Sequence, residues 1–306
     1  KGPETKVPGQ AEQLSNNPGG LKKGTGSSQS FNVVEAEGDD LVHSDGKTAQ
    51  KAVELLHKYK DMEKPFFLAV GFVRPHVPLV APKKYFAPYP LGKMALPPKI
   101  PGDQDDIPQN SGNRRTTANY KMDLNQQKGT LRAYYASVSF VDALVGKILD
   151  ALETNGQRDD TIVIFTSDHG YHLGEHDMWQ KVSIHEESAK VPLIICVPGK
   201  KPAVCHSLSE LIDLYPTVSR LCGLKIPGNI QGKDISGMFD DPAVKVRDAV
   251  LSSGKGRLLR TEKWALLDYG NKGELYDMEK DPKQYDNLFG DSNYAGTLAE
   301  LKAKLK

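Results

Sequence analysis

Apolar residues recur at helical spacing through residues 131–152, where Leu131, Tyr134, Tyr135, Val138, Val141, Val145, Ile148 and Leu152 line one face. Asn155-Gly156 supplies the stop. A shorter helix is predicted over residues 47–59 from Ala49, Ala52, Val53 and Leu56, capped by Ser44 or Asp45 and broken by Pro65. Three continuous apolar runs, residues 66–73, 161–167 and 191–197, read as buried strands. Helix, strand, loop and strand in that order predict a sheet covered by helices. Beyond residue 203 the texture changes. A short helix opens at Asp213-Leu214-Tyr215-Pro216-Thr217, where proline is tolerated because first-turn amides have no helical acceptor. Four short pieces, residues 249–252, 257–260, 264–268 and 274–276, have the spacing of a small antiparallel sheet. Leu298, Leu301 and Leu305 mark a closing helix.

The rest of the chain lacks such patterns. Residues 1–46 are rich in Gly, Ser, Asn, Pro and Lys and read as loop or partly disordered lead-in. Residues 78–128 hold many prolines and read as a long insertion-like loop. The organisation expected is therefore a lead-in over 1–46, a partial α/β domain over 47–202 and a smaller α+β subdomain over 203–306.

Composition narrows the class. The 306 residues are 38% hydrophobic and 26% charged, as in ordinary globular proteins. Forty basic against 39 acidic residues leave a net charge of +1, so neither nucleic acid nor a polybasic membrane anchor is indicated. No apolar run approaches the length of a membrane span. Three cysteines, Cys196, Cys205 and Cys222, do not make a disulfide framework. The sequence opens on Lys1-Gly2-Pro3 with no visible signal peptide.

Candidate chemistry gathers in residues 161–181, TIVIFTSDHGYHLGEHDMWQK. An apolar strand that ends in Asp168-His169 places an oxygen and an imidazole donor where open α/β sheets carry their sites. The pair reads either as a hydrogen-bonded turn or as two ligands of a metal. Carboxylate oxygen favours calcium or magnesium, and imidazole tilts toward transition metals without excluding calcium. Lys181 and His76 each follow a predicted strand tip. Lysine is a compact charge suited to a tetrahedral oxyanion, and histidine is able to protonate a leaving oxygen. Either residue also has an ordinary structural reading. His172, Glu175 and His176 read as groups that order the loop behind the ligands. Cys196-Val197-Pro198-Gly199-Lys200 mimics a nucleophile motif, but the end of an apolar strand is where cysteine behaves as a small buried hydrophobe.

Together these residues resemble the sulfatase family of the alkaline phosphatase superfamily, nearest its iduronate-2-sulfatase branch. The resemblance is carried by Pro65-Phe66-Phe67-Leu68-Ala69-Val70-Gly71-Phe72 with Arg74-Pro75-His76, and by Tyr134-Tyr135-Ala136-Ser137-Val138-Ser139-Phe140. Phe165-Thr166-Ser167-Asp168-His169-Gly170 and Leu173-Gly174-Glu175-His176 with Trp179 and Lys181 add to it. So do Val191-Pro192-Leu193-Ile194, Asp213-Leu214-Tyr215-Pro216-Thr217, and the ending Glu274-Leu275-Tyr276-Asp277 with Asp281-Pro282 and Asn287-Leu288.

The resemblance implies an α/β fold with a central mixed sheet flanked by helices, plus a small C-terminal domain with a four-stranded antiparallel sheet. It implies a sulfuric ester hydrolase acting on sulfated sugars or glycans. Asp168 and His169 become calcium ligands, Lys181 a sulfate contact, His76 a sulfate contact or leaving-group acid, and Arg74 a reader of an acidic sugar. A secreted, periplasmic or lysosomal-type location follows by the same resemblance. The family's nucleophile is a formylglycine made within Cys/Ser-x-Pro-Ser-Arg, and no such motif occurs here. The carboxylates that complete the calcium site, and the N-terminal strands, are not recognisable either. The expectation is the C-terminal portion of a sulfatase, inactive as an isolated chain. Alternatives are a phosphate or phosphonate ester hydrolase of the same superfamily, or a catalytically dead carbohydrate-binding remnant.

Overall fold

The computed structural model describes residues 9–13, 32–108 and 116–305. The chain divides into two compact units, residues 1–98 with 115–161 and residues 99–114 with 162–306.

In the first unit, strands β1 (Gly9–Gln13) and β2 (Asn32–Ala36) run antiparallel, and β2 pairs in parallel with β3 (Leu79–Pro82) in the register Val34↔Val80. Parallel neighbours need a crossover. Helix α1 (Ser44–Tyr59) lies within it and buries Ala49, Ala52 and Leu56. A short helix α2 (Thr117–Tyr120) leads to α3 (Leu124–Thr154), which packs on α1 and β3. Asp123 opens α3 with a reciprocal capping box: its carboxylate accepts from the Gln126 amide at 2.8 Å while the Gln126 side chain accepts from the Asp123 amide at 2.9 Å. Leu131, Phe140 and Leu144 are fully buried on its inner face. Buried Asp40 takes Lys147 at 2.6 Å and Lys84 at 2.9 Å. Burial alone would raise its carboxyl pKa; the two lysines outweigh that and lower it.

Among the described residues the second unit holds three small sheets. Strands β4 (Val163–Thr166) and β7 (Leu193–Cys196) form an antiparallel pair, and between them in sequence come the hairpin β5 (His172–Leu173) with β6 (Trp179–Gln180) and the single-turn helix α4 (Glu186–Ala189). Helix α5 (Leu214–Leu221) precedes a four-stranded antiparallel sheet of β8 (Ala249–Ser253), β9 (Arg257–Thr261), β10 (Trp264–Asp268) and β11 (Gly273–Asp277). Its order is β11-β10-β9-β8. Alternation along these strands splits their side chains between two cores. Leu258, Leu267 and Tyr276 pack with Ile184 on one face, while Leu259, Leu266 and Leu275 pack against Leu301 of α6 (Ala295–Lys304) on the other. The fold is α/β, with a four-stranded antiparallel sheet in the C-terminal region, as the resemblance implied.

Several local expectations are corrected. Residues 66–73 form no strand; no ladder partner pairs with them among the described residues, and their side chains alternate between half-buried and exposed. Helix α1 begins at Ser44 after His43, without a side-chain cap. The Asp45 carboxylate instead accepts from the amides of Val73 and Arg74, each at 2.9 Å. Strand β4 is shorter than predicted and only half-buried, and Cys196 is exposed, so it is not the buried hydrophobe its strand suggested. The segment read as a long loop contains β3, two 3-10 turns and α2. Within the supposed lead-in, β1 and β2 are strands; its residues 1–8 and 14–31 lie outside the described residues.

Candidate active site

At the C-terminal tip of β4 the Thr166 hydroxyl donates to the Pro192 carbonyl at 2.9 Å and ends the pairing with β7. The chain then turns sharply. The Ser167 hydroxyl donates to the His169 carbonyl at 3.0 Å, and the His169 amide donates to Asp168 Oδ1 at 3.0 Å. Gly170 gives its amide to the Ser188 carbonyl of α4 at 2.9 Å. A Cβ at this position would stand 2.1 Å from the Glu187 carbonyl, so only glycine lets the loop lie this close to α4. The effect is to hold the preceding pair outward: the Asp168 side chain is 84% exposed and that of His169 35%.

These two side chains have the chemistry of cation ligands. His169 Nδ1 sits 2.8 Å from the Gly170 carbonyl, which assigns the proton to Nδ1 and leaves the Nε2 lone pair outward. Asp168 Oδ2 lies 3.6 Å from His169 Nε2. Neighbouring ligands at about 2.4 Å from one calcium ion stand roughly that far apart. The pair thus fits a cation in kind. It does not fit in number, because calcium takes about six to eight ligands, and among the described residues no group of three or more His, Cys, Asp or Glu is placed to hold a metal.

Lys181 follows directly on β6 and is half-buried. The hairpin that delivers it turns through Gly174 at φ 119° and then through His176 and Asp177, both at φ 54°. The Glu175 carboxylate accepts from the Leu173 amide at 2.6 Å, which is the loop-ordering role expected of it.

Behind the hairpin lies a buried polar cluster that links segments far apart in sequence. The rings of His172, His176 and His185 approach within 5.1–6.3 Å of one another. His176 Nδ1 is 3.2 Å from both oxygens of Asp103. His185 Nε2 meets Glu274 at 2.8 Å, and the Tyr276 hydroxyl donates to the same carboxylate at 2.6 Å. Burial would raise the Glu274 pKa, but the His185 charge and hydrogen bond, with the tyrosine hydroxyls, hold it below the ordinary carboxylate value. Burial would lower His176; the Asp103 hydrogen bond and charge, with Glu187 and Glu274, outweigh that and raise it. His172 is pushed well below the usual histidine value by burial, and then by its two histidine neighbours.

The signs of these two shifts oppose each other. His172 folds neutral, so its contribution is intact above its unfolded pKa, about 6.5, and is lost as pH falls below it. His176 folds charged, so its contribution is full below about 6.5 and is lost as pH rises through its raised folded value. Chain stability is therefore expected to peak near neutrality. In urea unfolding between pH 5 and 9, His172→Leu should flatten the limb between pH 5 and 6.5, above the range in which carboxylates titrate. An unchanged acid limb in that variant would show that His172 does not govern it.

Arg74 and His76 belong to the first unit. Arg74 is buried at 4% exposure and donates its guanidinium to the carbonyls of His76 and Pro78. Expected as a reader of an acidic sugar, it is placed as a brace of its own loop. His76 is exposed, with Nδ1 2.6 Å from the Val77 carbonyl, which assigns a proton to Nδ1. Asp168, His169 and Lys181 all belong to the second unit.

Sequence reasoning missed Asp103, His185, Glu187 and Glu274 as members of the buried cluster. Asp103 reaches His176 across 73 positions and Glu274 reaches His185 across 89. The one local signal was an ionisable side chain, Glu274, beside Leu275 and Tyr276 in a short strand.

A family model described as Sulfatase matches residues 11–224, and one described as N-sulphoglucosamine sulphohydrolase, C-terminal, matches residues 174–306. A sulfatase of Formosa agariphila is 33% identical over 80% of this chain and 50% of its own length. Human iduronate 2-sulfatase is 32% identical over 60% of this chain and 40% of its own. The solved phosphonate monoester hydrolase of Silicibacter pomeroyi superposes with a TM-score of 0.78 at 23% identity, covering 88% of this chain and 60% of that one. The chain thus spans about half the length of the curated relatives it matches. With the family model covering more than half of its residues, this chain belongs to the sulfatase family.

Proposed function

We propose that this chain supplies part of the active site of a sulfuric ester hydrolase acting on sulfated sugars. The observation that carries the reading is the tip of β4, which holds Asp168 and His169 outward just ahead of the hairpin that delivers Lys181. In this reading Asp168 and His169 would be two of the ligands of a calcium ion, which would supply positive charge beside the sulfate. Lys181 binds a sulfate oxygen through its ammonium, and His76 protonates the leaving sugar oxygen through Nε2. Arg74 acts by shaping the loop that carries His76. The human relative's name speaks for a sulfated uronic sugar, and sugar sulfates are accordingly the substrates to test first.

The S. pomeroyi neighbour favours a second reading, a phosphonate monoester as substrate, since both esters present tetrahedral oxyanions. Substrate choice separates the two. The chain contains no Cys/Ser-x-Pro-Ser-Arg from which the family's formylglycine is made, and a covalent route needs such a nucleophile. The isolated chain is therefore expected to show no turnover of 4-nitrophenyl sulfate, sulfated disaccharides or a phenyl phosphonate monoester. A polypeptide of full family length containing it should hydrolyse the sulfates. Turnover by the isolated chain that disappears with calcium chelation would contradict the reading of its missing parts, and preference for the phosphonate would select the second reading.

A further inference from the structure

Positive backbone φ angles concentrate around Lys181. Among the described residues, His176 and Asp177 lie at φ 54°, Gln180 at 69° and Val182 at 89°. Left-handed backbone is unfavourable for side chains with a Cβ and most of all for a β-branched residue such as Val182. Such a conformation persists only where surrounding structure over-determines it. Gln180 and Val182 flank Lys181 directly, so whatever holds this backbone also aims the lysine.

Three of the contacts that hold the turn come from one segment, residues 99–104. Lys99 pairs with Asp177 at 3.2 Å, Asp103 meets His176 Nδ1 at 3.2 Å, and the Gln104 side chain donates to the His176 carbonyl. All three fall on the turn between β5 and β6. The His176 side chain is fully buried, and the turn closes on itself through the Gly174 amide to the Met178 carbonyl at 2.9 Å. Met178 and Trp179 then anchor the returning strand at 2% and 1% exposure.

We propose that the Asp103–His176 pair is a clasp that positions Lys181 through the hairpin, and that it holds while His176 is protonated. The proposal rests on the reading of Lys181 as a sulfate contact. Titratable groups from several elements face His176. Asp103 faces it from the clasping segment, Glu187 from α4 at 3.9 Å from Nε2, and Glu274 from β11. Three further titratable rings face it: His172 of β5, His185 ahead of α4, and Tyr285 after β11. Together the carboxylates outweigh burial and raise the His176 pKa, and loss of the ring charge weakens the clasp on the alkaline side. Asp103 and His176 are positioning residues; neither is assigned a contact with substrate.

The test uses the 306-residue chain with inorganic sulfate as the probe. Amide hydrogen exchange of peptides covering residues 172–182 is followed from pH 5.5 to 9, as protection factors corrected for intrinsic exchange. His176 is followed in parallel by NMR of its ring Cε1. Hairpin protection and sulfate affinity should fall together along the His176 titration. In Asp103→Asn all three midpoints should move down together, by about 1–3 pH units for loss of an adjacent opposite charge. A merely structural role would lower protection at every pH without moving the midpoint. Hairpin protection that ignores the His176 titration overturns the clasp. If Asp103→Asn does not fold, co-titration in the wild-type chain decides the matter alone. Lys181→Ala separates the two ideas. If the hairpin follows His176 but sulfate affinity is identical with and without Lys181, the reading of Lys181 fails and the clasp stands. If Lys181 is required for sulfate but the hairpin is indifferent to pH, the clasp fails and the reading stands.

Discussion

Replacing Glu274 by Ala is expected to destabilise the chain by about 3–5 kcal/mol, the scale for removing one partner of a buried ion pair. Glu274 is fully buried on β11 and serves His185 and the Tyr276 hydroxyl at once. Truncation leaves the imidazole and the phenol without their acceptor inside the core that includes Ile184, Leu258 and Leu267. Glu274→Gln keeps an acceptor of the same shape and removes the charge, so it should cost clearly less. The difference between the two variants isolates the desolvation of the stranded groups from the charge itself. Urea unfolding followed by far-UV circular dichroism measures both. An Ala variant within about 1 kcal/mol of wild type would show that water enters the cluster and satisfies it. That size is more typical of an exposed pair.

In a polypeptide of sulfatase length that carries this chain, Lys181→Ala and His76→Ala are expected to fail in different ways. The charge on sulfate oxygens is present both in the bound substrate and in the transition state. Lys181→Ala should therefore raise KM and lower kcat, with a loss of about 10²–10³ in kcat/KM, as for deletion of an oxyanion-stabilising donor. A leaving-group acid matters only when a proton is transferred. His76→Ala should lower kcat for sugar sulfates, whose alcohols leave poorly, and spare 4-nitrophenyl sulfate, whose phenol leaves readily. Equal losses on both substrates would remove the general-acid role and make His76 a binding or structural residue. Equal KM for wild type and Lys181→Ala would remove the sulfate contact.

What was legible in the sequence was what local pattern controls. Helical spacing announced α3 because a 3.6-residue period needs only one apolar neighbour to bury against. The spacing of four short strand-like pieces announced the sheet of β8 to β11, while the cores on its two faces came only with tertiary packing. The Asp168-His169 pair was legible as a strand tip because the apolar run before it finds a ladder partner in β7. Residues 66–73 misled for the complementary reason. An apolar run states that burial is wanted, but a strand exists only when another backbone supplies the ladder, and none pairs with it among the described residues. At Arg74 the charge reads as a ligand contact, and only the fold shows that the carbonyls of His76 and Pro78 accept from its Nη1, where the chain returns within four residues. The buried cluster was beyond sequence reasoning altogether. Asp103, His176, His185 and Glu274 are each ordinary in their own neighbourhoods. Only tertiary docking excludes water from them, and exclusion of water is what turns four common side chains into a coupled, pH-sensitive group.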